Sequence, residues 1–328
     1  MKSIKKLVLP VTLSASVLTL GACGNGSDNS GETLIETKAG DVSSQDVLDK
    51  MGSDEVAQNA FQIVLNKVLK DKYEDKVDTK KLDKQVDKQI EQYGGKKKFE
   101  EALQQEKPGA TLKDFKESQK TSKYQEEFIN DSIKVSDKEI EENAKKGSHI
   151  LIKVKSEDSK DGLSDKEAKK KADDLLKKIK DNPDDFDKIA KEETQDEGTK
   201  DKNGSLGFVL KGQMDEAFEK SLFKLKDGEI SDVVKSQYGY HIIRADKGEA
   251  SKKQKESLKE QYRQMKIQKE PKLIINAYKK LLDEYKVDYK DKDIKKSIED
   301  NILNAKALQQ QHKATLHIKD GSGIKISL

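Results

Sequence analysis

Cysteine and histidine are scarce in this chain of 328 residues, and that scarcity bounds its chemistry. Cys23 is the single cysteine, and His149, His241, His312 and His317 are the four histidines. One thiol builds no disulfide, and four histidines without a second cysteine leave a structural zinc site short of ligands. No metal and no cofactor is expected. Imidazole titrates nearest to neutral pH, so the histidines are the first place to look for hydrogen-bond or proton chemistry. His149 lies in the alternating run Ser148 to Val154, and His241 in the run Tyr240 to Ala245. Taken alone, a histidine on a strand among apolar neighbours is more often a satisfied structural residue. By the same default Asp196, in the polar loop Thr194 to Gly204, is solvated, and Met214 and Phe218, four apart, are core. His312 and His317 fall in a polar end segment and carry no expected role.

The first residues address the chain. Met1 to Lys6 holds three lysines and no acid, and an apolar run from Leu7 to Leu20 leads into Leu20-Gly21-Ala22-Cys23. A charged start, a short apolar core and small residues at the end read as a secretory signal. The run is interrupted by Pro10 and falls short of the roughly 18 to 20 residues that a spanning helix needs. Its ending resembles the bacterial lipobox, which implies removal of residues 1–22 and a diacylglycerol anchor on Cys23; the alternative is an ordinary signal with an incidental cysteine. Residues 23–40, opening on Gly24-Asn25-Gly26-Ser27, then read as a flexible tether. Without Lys2, Lys5 and Lys6 the remaining chain has 62 basic and 62 acidic residues, so it is formally neutral. That balance argues against nucleic-acid binding.

Three blocks follow. Over 41–146 the pattern is helical, with Ala57, Phe61, Val64 and Val68 on one stripe and Leu82, Val86, Ile90 and Tyr93 on another. Ser136-Asp137-Lys138-Glu139 is a capping box. From 247 to 308 the helical spacing returns, with a break expected at Pro271. Residues 309–328 form a polar tail, expected to be poorly ordered.

The middle block, 147–246, alternates short β-branched runs with short helices. Ser148 to Val154 reads as a strand with His149 and Leu151 on one face and Ile150, Ile152 and Val154 on the other. A helix capped by Ser164 and a second opened by Pro183 come next. Leu206 to Leu210 is a strand, Met214 to Leu222 a helix, and Ile230 to Val234 and Tyr240 to Ala245 are two further strands. His241 and Ile243 share a face. The order describes a compact α+β unit.

Here the sequence resembles a known family. His149-Ile150-Leu151-Ile152, Asn203-Gly204-Ser205-Leu206-Gly207-Phe208, Gly212-Gln213-Met214, Phe218 and Tyr238-Gly239-Tyr240-His241-Ile242-Ile243 match, in order and spacing, the signature of the parvulin peptidyl-prolyl isomerases. With a lipobox and helical blocks on both sides, the chain is similar to the PrsA-type foldase lipoproteins of Gram-positive bacteria. The resemblance implies a four-stranded antiparallel sheet with flanking helices, inserted between two helical segments that form one chaperone-like domain. It also implies catalytic positions at His149, Asp196, His241 and Ser236, and an apolar cup for the proline ring from Leu206, Met214 and Phe218. Asn203, Ser205 and Val209 depart from the family's usual residues and are expected beside the cup rather than in it.

The function so implied is an extracytoplasmic foldase that isomerises X-Pro bonds and helps secreted proteins fold, held at the outer face of the membrane by Cys23. Its partners are unfolded or partly folded secreted chains. The alternative is a binding chaperone whose parvulin domain turns over little or not at all. A solute-binding importer lipoprotein fits less well, because the long strand-helix alternation of two doubly wound lobes is missing. Apolar periodicity including Phe61, Val64, Tyr262, Leu281 and Leu282 also suggests a homodimer around a shared client groove. Substrate choice is expected to be independent of phosphate. The loop Ser156-Glu157-Asp158-Ser159-Lys160-Asp161 dilutes its lysine with acids and offers no arginine pair to grip a dianion. Peptides differing only in phosphorylation of the serine before proline should therefore be turned over with no preference for the phosphorylated form, and a strong preference would overturn this reading.

Overall fold

The computed structural model describes residues 31–155 and 161–307. The expected leader, Cys23, the residues 156–160 and the expected tail lie outside that range. The described residues divide into two compact units: those up to Ile133 together with those from Ile267, and Lys134–Lys266 between them.

The first unit is mostly helical. It opens on a hairpin, β1 (Thr33–Ile35) against β2 (Val42–Ser43). Part of the span expected as tether is thus ordered, because β-prone Thr33-Leu34-Ile35 pairs back across a turn in which Thr37 Oγ1 accepts the Ala39 amide. Then come α1 (Ser44–Met51), α2 (Ser53–Tyr73), α3 (Thr79–Tyr93), α4 (Lys96–Glu106) and α5 (Leu112–Ser132). After the second unit, helices Lys272–Glu284 and Lys292–Ser297 return to this one. Ala57, Phe61, Leu65, Val68 and Leu69 recur on one face of α2 and pack on Phe128, Ile275, Leu281 and Leu282. Phe61, Leu281 and Leu282 are thus internal, and Val64 lies against the same core, so the periodicity that suggested a second copy is largely consumed within the unit.

The second unit carries the sheet. Its elements are α6 (Asp137–Asn143), β3 (Ala144–Lys153), α7 (Asp165–Asp181), α8 (Phe186–Glu193), β4 (Ser205–Leu210), α9 (Glu216–Lys224), β5 (Val234–Ser236), β6 (Gly239–Ala245) and α10 (Lys252–Lys269), which belongs here up to Lys266. The strands lie in the order β4-β3-β6-β5, all antiparallel. One face, with Ile150, Ile152 and Ile242, packs on Ala168, Ala172, Leu175 and Ile179 of α7 and Phe186 and Ala190 of α8. On the other face Val209, Ile243 and Ala245 meet Phe218 and Leu222 of α9.

Three local expectations change. Met214 precedes α9 rather than starting it, because Asp215 in extended conformation caps the helix by accepting the amides of Ala217 and Phe218. The strand expected at Ile230 to Val234 is displaced to Val234–Ser236. Ile230 makes only an isolated bridge to Arg244, since the Ser231 hydroxyl, not a backbone carbonyl, accepts the Ile243 amide. Finally β3 begins at Ala144, directly after α6.

The unit is wider than its sheet. Val135 and Ile140 before β3 and Leu258 on α10 close over Leu210, with Phe208, Tyr262 and Met265 packed around them. Burying each such side chain stabilises by about 1.5 to 3 kcal/mol. A fragment of residues 134–266 should therefore unfold in a single cooperative transition. One of residues 147–246, which bares Leu210, should be weaker by at least about 2 to 4 kcal/mol in urea. Equal midpoints for the two would show that the outer helices contribute nothing to this core.

Candidate functional site

The site is built where β3 and β6 cross-pair. In their register His149 stands opposite Ile243 and Leu151 opposite His241, so the two histidines are diagonal neighbours on one face of the pleat. Their rings lie nearly parallel, 15° apart with centroids at 5.5 Å, and the two Nδ1 atoms are 3.2 Å apart. His149 Nε2 meets Asp196 Oδ2 at 2.9 Å, and His241 Nε2 meets Ser236 Oγ at 2.7 Å. The geometry thus joins all four expected polar residues in one line.

The tautomers follow from Asp196. An ionised carboxylate only accepts, so His149 must carry its proton on Nε2 and donate it there. Its Nδ1 is then an acceptor, which requires His241 to donate from its own Nδ1. His241 Nε2 in turn accepts the Ser236 hydroxyl. The relay Ser236 to His241 to His149 to Asp196 satisfies every polar atom with both rings neutral. A second proton on His149 would set two N–H groups head to head at Nδ1, and one on His241 Nε2 would turn the Ser236 hydroxyl from donor to acceptor.

The surroundings hold the rings in that state. Both histidines are buried. Burial lowers the pKa of His149 against the upward pull of Asp196. At His241 burial and then the facing His149 bring the value down to about 4, with Asp215 and Asp196 opposing. Burial pushes Asp196 up, but hydrogen bonds from Thr199, His149 and the Gly198 amide together hold it below its ordinary value.

The loop that presents Asp196 is fixed by residues that sequence reasoning passed over. Thr199 Oγ1 donates to Asp196 Oδ2 at 2.6 Å and lies 3.3 Å from His149 Nε2. Thr194 Oγ1 accepts the Leu151 amide, and the Gln195 amide donates to the Leu151 carbonyl, tying the loop to β3 beside the site. Asp196 and Thr199, three apart with the Gly198 amide on Asp196 Oδ1, form a side-chain-closed turn, and that spacing was the available signal. Gly204 sits at φ +79, and a Cβ there would come within 2.2 Å of the His149 carbonyl, so only glycine lets the loop return so closely.

The apolar wall adjoins the rings. Phe218 meets His149 and His241 edge-on, with centroids 5.5 and 5.2 Å away. Leu206 and Met214 are half-buried against the same cluster. Leu206 is the extra residue of a β-bulge, since Gly147 pairs with Gly207 and Ser148 with Ser205; Gly207 at φ +71 supplies the bend. Val209 is buried in this cluster too, so this departure from the family pattern backs the wall directly. Asn203 takes the left-handed conformation that a glycine would otherwise occupy, at φ +53. Cys23 lies outside the described residues. Among the described residues no cluster of histidine, cysteine or acid is arranged to hold a metal. Two buried neutral imidazoles beside an apolar wall can receive an uncharged, ring-bearing segment, with the one carboxylate of the line, Asp196, engaged by Thr199, His149 and the Gly198 amide.

Residues 149–247 match the family of PPIC-type PPIase domains. Over 312 residues, 94% of the chain, it is 54% identical to Foldase protein PrsA of Staphylococcus aureus and covers 96% of that protein. It is also 54% identical over 313 residues to Foldase protein PrsA of Staphylococcus epidermidis, covering 95% of each. Its fold resembles the crystal structure of foldase protein PrsA from Streptococcus pneumoniae with a TM-score of 0.52 at 22% identity, covering 81% of this chain and 98% of that one.

The depressed histidine makes the second unit acid-sensitive. An unfolded imidazole takes up its proton near pH 6.5, whereas folded His241 does so only near 4. Between these values the unfolded state binds more protons, so stability falls as the pH drops, by on the order of 3 kcal/mol. His149 acts in the same sense, and the lowered Asp196 extends the loss further into acid. Ring-proton NMR should place the His241 midpoint near 4. A midpoint at or above the ordinary histidine value would overturn the neutral relay.

Proposed function

The chain belongs to the PrsA foldase family and carries a parvulin-type peptidyl-prolyl isomerase domain, and from that premise we propose that it turns X-Pro bonds at the His149–His241 face while tethered outside a membrane through Cys23. Its substrates are unfolded proteins. The secreted class among them is inferred from the leader and the L-G-A-C sequence at Leu20 to Cys23, which also support the lipid anchor. No helix among the described residues is long and apolar enough to cross a membrane.

The observation that carries the catalytic assignment is the pair of neutral, hydrogen-bonded imidazoles beneath an apolar wall. Rotation about an X-Pro bond meets a barrier of about 18 to 20 kcal/mol from amide resonance, and no covalent bond changes. An enzyme need only hold the twisted amide better than the planar one. Leu206, Met214 and Phe218 grip the pyrrolidine ring and exclude water, so one side of the bond is fixed while the other turns. The twisted amide is the less dipolar form, and a dry site with uncharged imidazoles disfavours it less than water does. His149, His241, Asp196 and Ser236 keep that floor rigid, because each ring is hydrogen-bonded at both nitrogens. None of them acts as a nucleophile.

In this reading isomerisation belongs to the second unit and client holding to the helical one. Asp196→Ala removes the acceptor that sets both tautomers and leaves the rest of the relay in place. Losing a charge-assisted hydrogen bond of about 1.5 to 3 kcal/mol should lower kcat/KM on a proline peptide by roughly 10- to 100-fold. In the soluble chain beginning after Gly31, aggregation suppression should persist. Unchanged isomerase activity would remove Asp196 from the site, and loss of holding in a folded variant would undo the division of labour.

A further inference from the structure

Beside the cup stands a carboxylate that isomerisation itself leaves without a task. Asp215 lies between Met214 and Phe218 in sequence and is half-buried. Its Oδ1 caps α9, accepting the amides of Ala217 at 3.0 Å and Phe218 at 3.5 Å. Its Oδ2 has no protein hydrogen bond, and no lysine or arginine pairs with it, among the described residues. Among the other half-buried acids of this unit, Glu139 pairs with Lys266, Glu193 with Lys171 and Asp246 with Arg244. The charge of Asp215 also reaches the floor of the site, where it works against the lowering of the His241 pKa. Phe218, whose amide it caps, meets the His241 ring at 5.2 Å.

A segment seated in the cup carries its flanking side chains past this edge. A half-buried carboxylate with a free oxygen attracts a cation more strongly than a fully solvated one, because the local dielectric is lower. We propose that Asp215 is a specificity-determining residue that favours substrates carrying lysine or arginine next to the proline. The inference rests on the assignment of Leu206, Met214 and Phe218 as the proline cup. It gives the substrate class a chemical character, basic unfolded segments, that the isomerase reaction alone does not require.

The test uses Asp215→Asn in the full chain. Asparagine caps a helix about as well as aspartate, so the substitution removes the charge and keeps the fold. Peptides identical except for lysine or glutamate beside the proline are compared by the ratio of their kcat/KM values. The unaltered protein should favour lysine by about threefold, the scale of a partly exposed ion pair. That ratio should fall towards one in Asp215→Asn, and also in the unaltered protein at about 0.5 M salt, where charges are screened beyond a few ångströms. The ratio of dissociation constants from NMR titration of the same peptides should move in parallel, which keeps the comparison independent of turnover. A ratio of one in the unaltered protein, or an equal ratio in Asp215→Asn, overturns the proposal. Turnover of an alanine-proline peptide by the unaltered protein reports the isomerase reading separately.

Discussion

The hydrogen bond between the two Nδ1 atoms of His149 and His241 is the constraint on which the rest of the site depends. It exists only because β3 and β6 pair antiparallel in a register that makes the two residues diagonal neighbours. Strand side chains alternate faces, so a slip of one residue would turn one histidine into the α7 side of the sheet and end the contact. The isoleucines guard against that slip. Ile150 and Ile242 pair directly on the opposite face and are fully buried, so a one-residue slip would trade apolar burial for polar exposure.

A polar line buried in this way is stable only when complete. Leaving one buried donor or acceptor unmatched costs about 1 to 3 kcal/mol, and among the described residues no buried side-chain polar atom lacks a partner. Completion here comes from four separate stretches of chain: Asp196 with Thr199 from the loop before β4, Ser236 from β5, and the strands β3 and β6 themselves. Gly204 allows the loop to press against β3, and Thr194 anchors it there. The same loop therefore defines both the charge state of the rings and the position of the bulge that directs Leu206. Polar order and apolar shape are set together.

The helical unit shows a different economy. Its helices are short of hydrophobic residues and rich in charge, and their ends are set locally. Ser43 with Asp46 and Thr111 with Asp114 form reciprocal capping boxes, each contributing about 1 kcal/mol. One narrow apolar stripe per helix then suffices for two clusters, one around Phe61, Phe128 and Tyr278, where Phe128 and Tyr278 stack at 5.2 Å, and one of Leu82, Val86 and Ile90 on α3 against Phe99 and Phe115. The many exposed ion pairs add little each. Their service is to keep wide faces wetted, which suits a protein that meets unfolded chains.

The residues by themselves disclosed the near-even balance of basic and acidic residues, the capping boxes, the alternation in β3 and β6, and the sharing of a face by His241 and Ile243. These are local properties, set by spacing and by the short reach of side chains to their own backbone. The resemblance to a family supplied the joining of two distant histidines, since no periodicity links residues 92 positions apart. Thr199, Gly204 and the bulge at Leu206 stayed hidden, because each acts through a contact with another strand. So did the displacement of β5, where the Ser231 hydroxyl substitutes for a backbone partner, and the closure of α6 and α10 over Leu210. Sequence determined which faces were apolar and where the helices capped by Ser136 and Ser164 start, because those depend on neighbours along the chain. Tertiary structure alone decided the tautomers, the depressed His241 and the bared edge of Asp215, because protonation and pairing depend on what burial brings near.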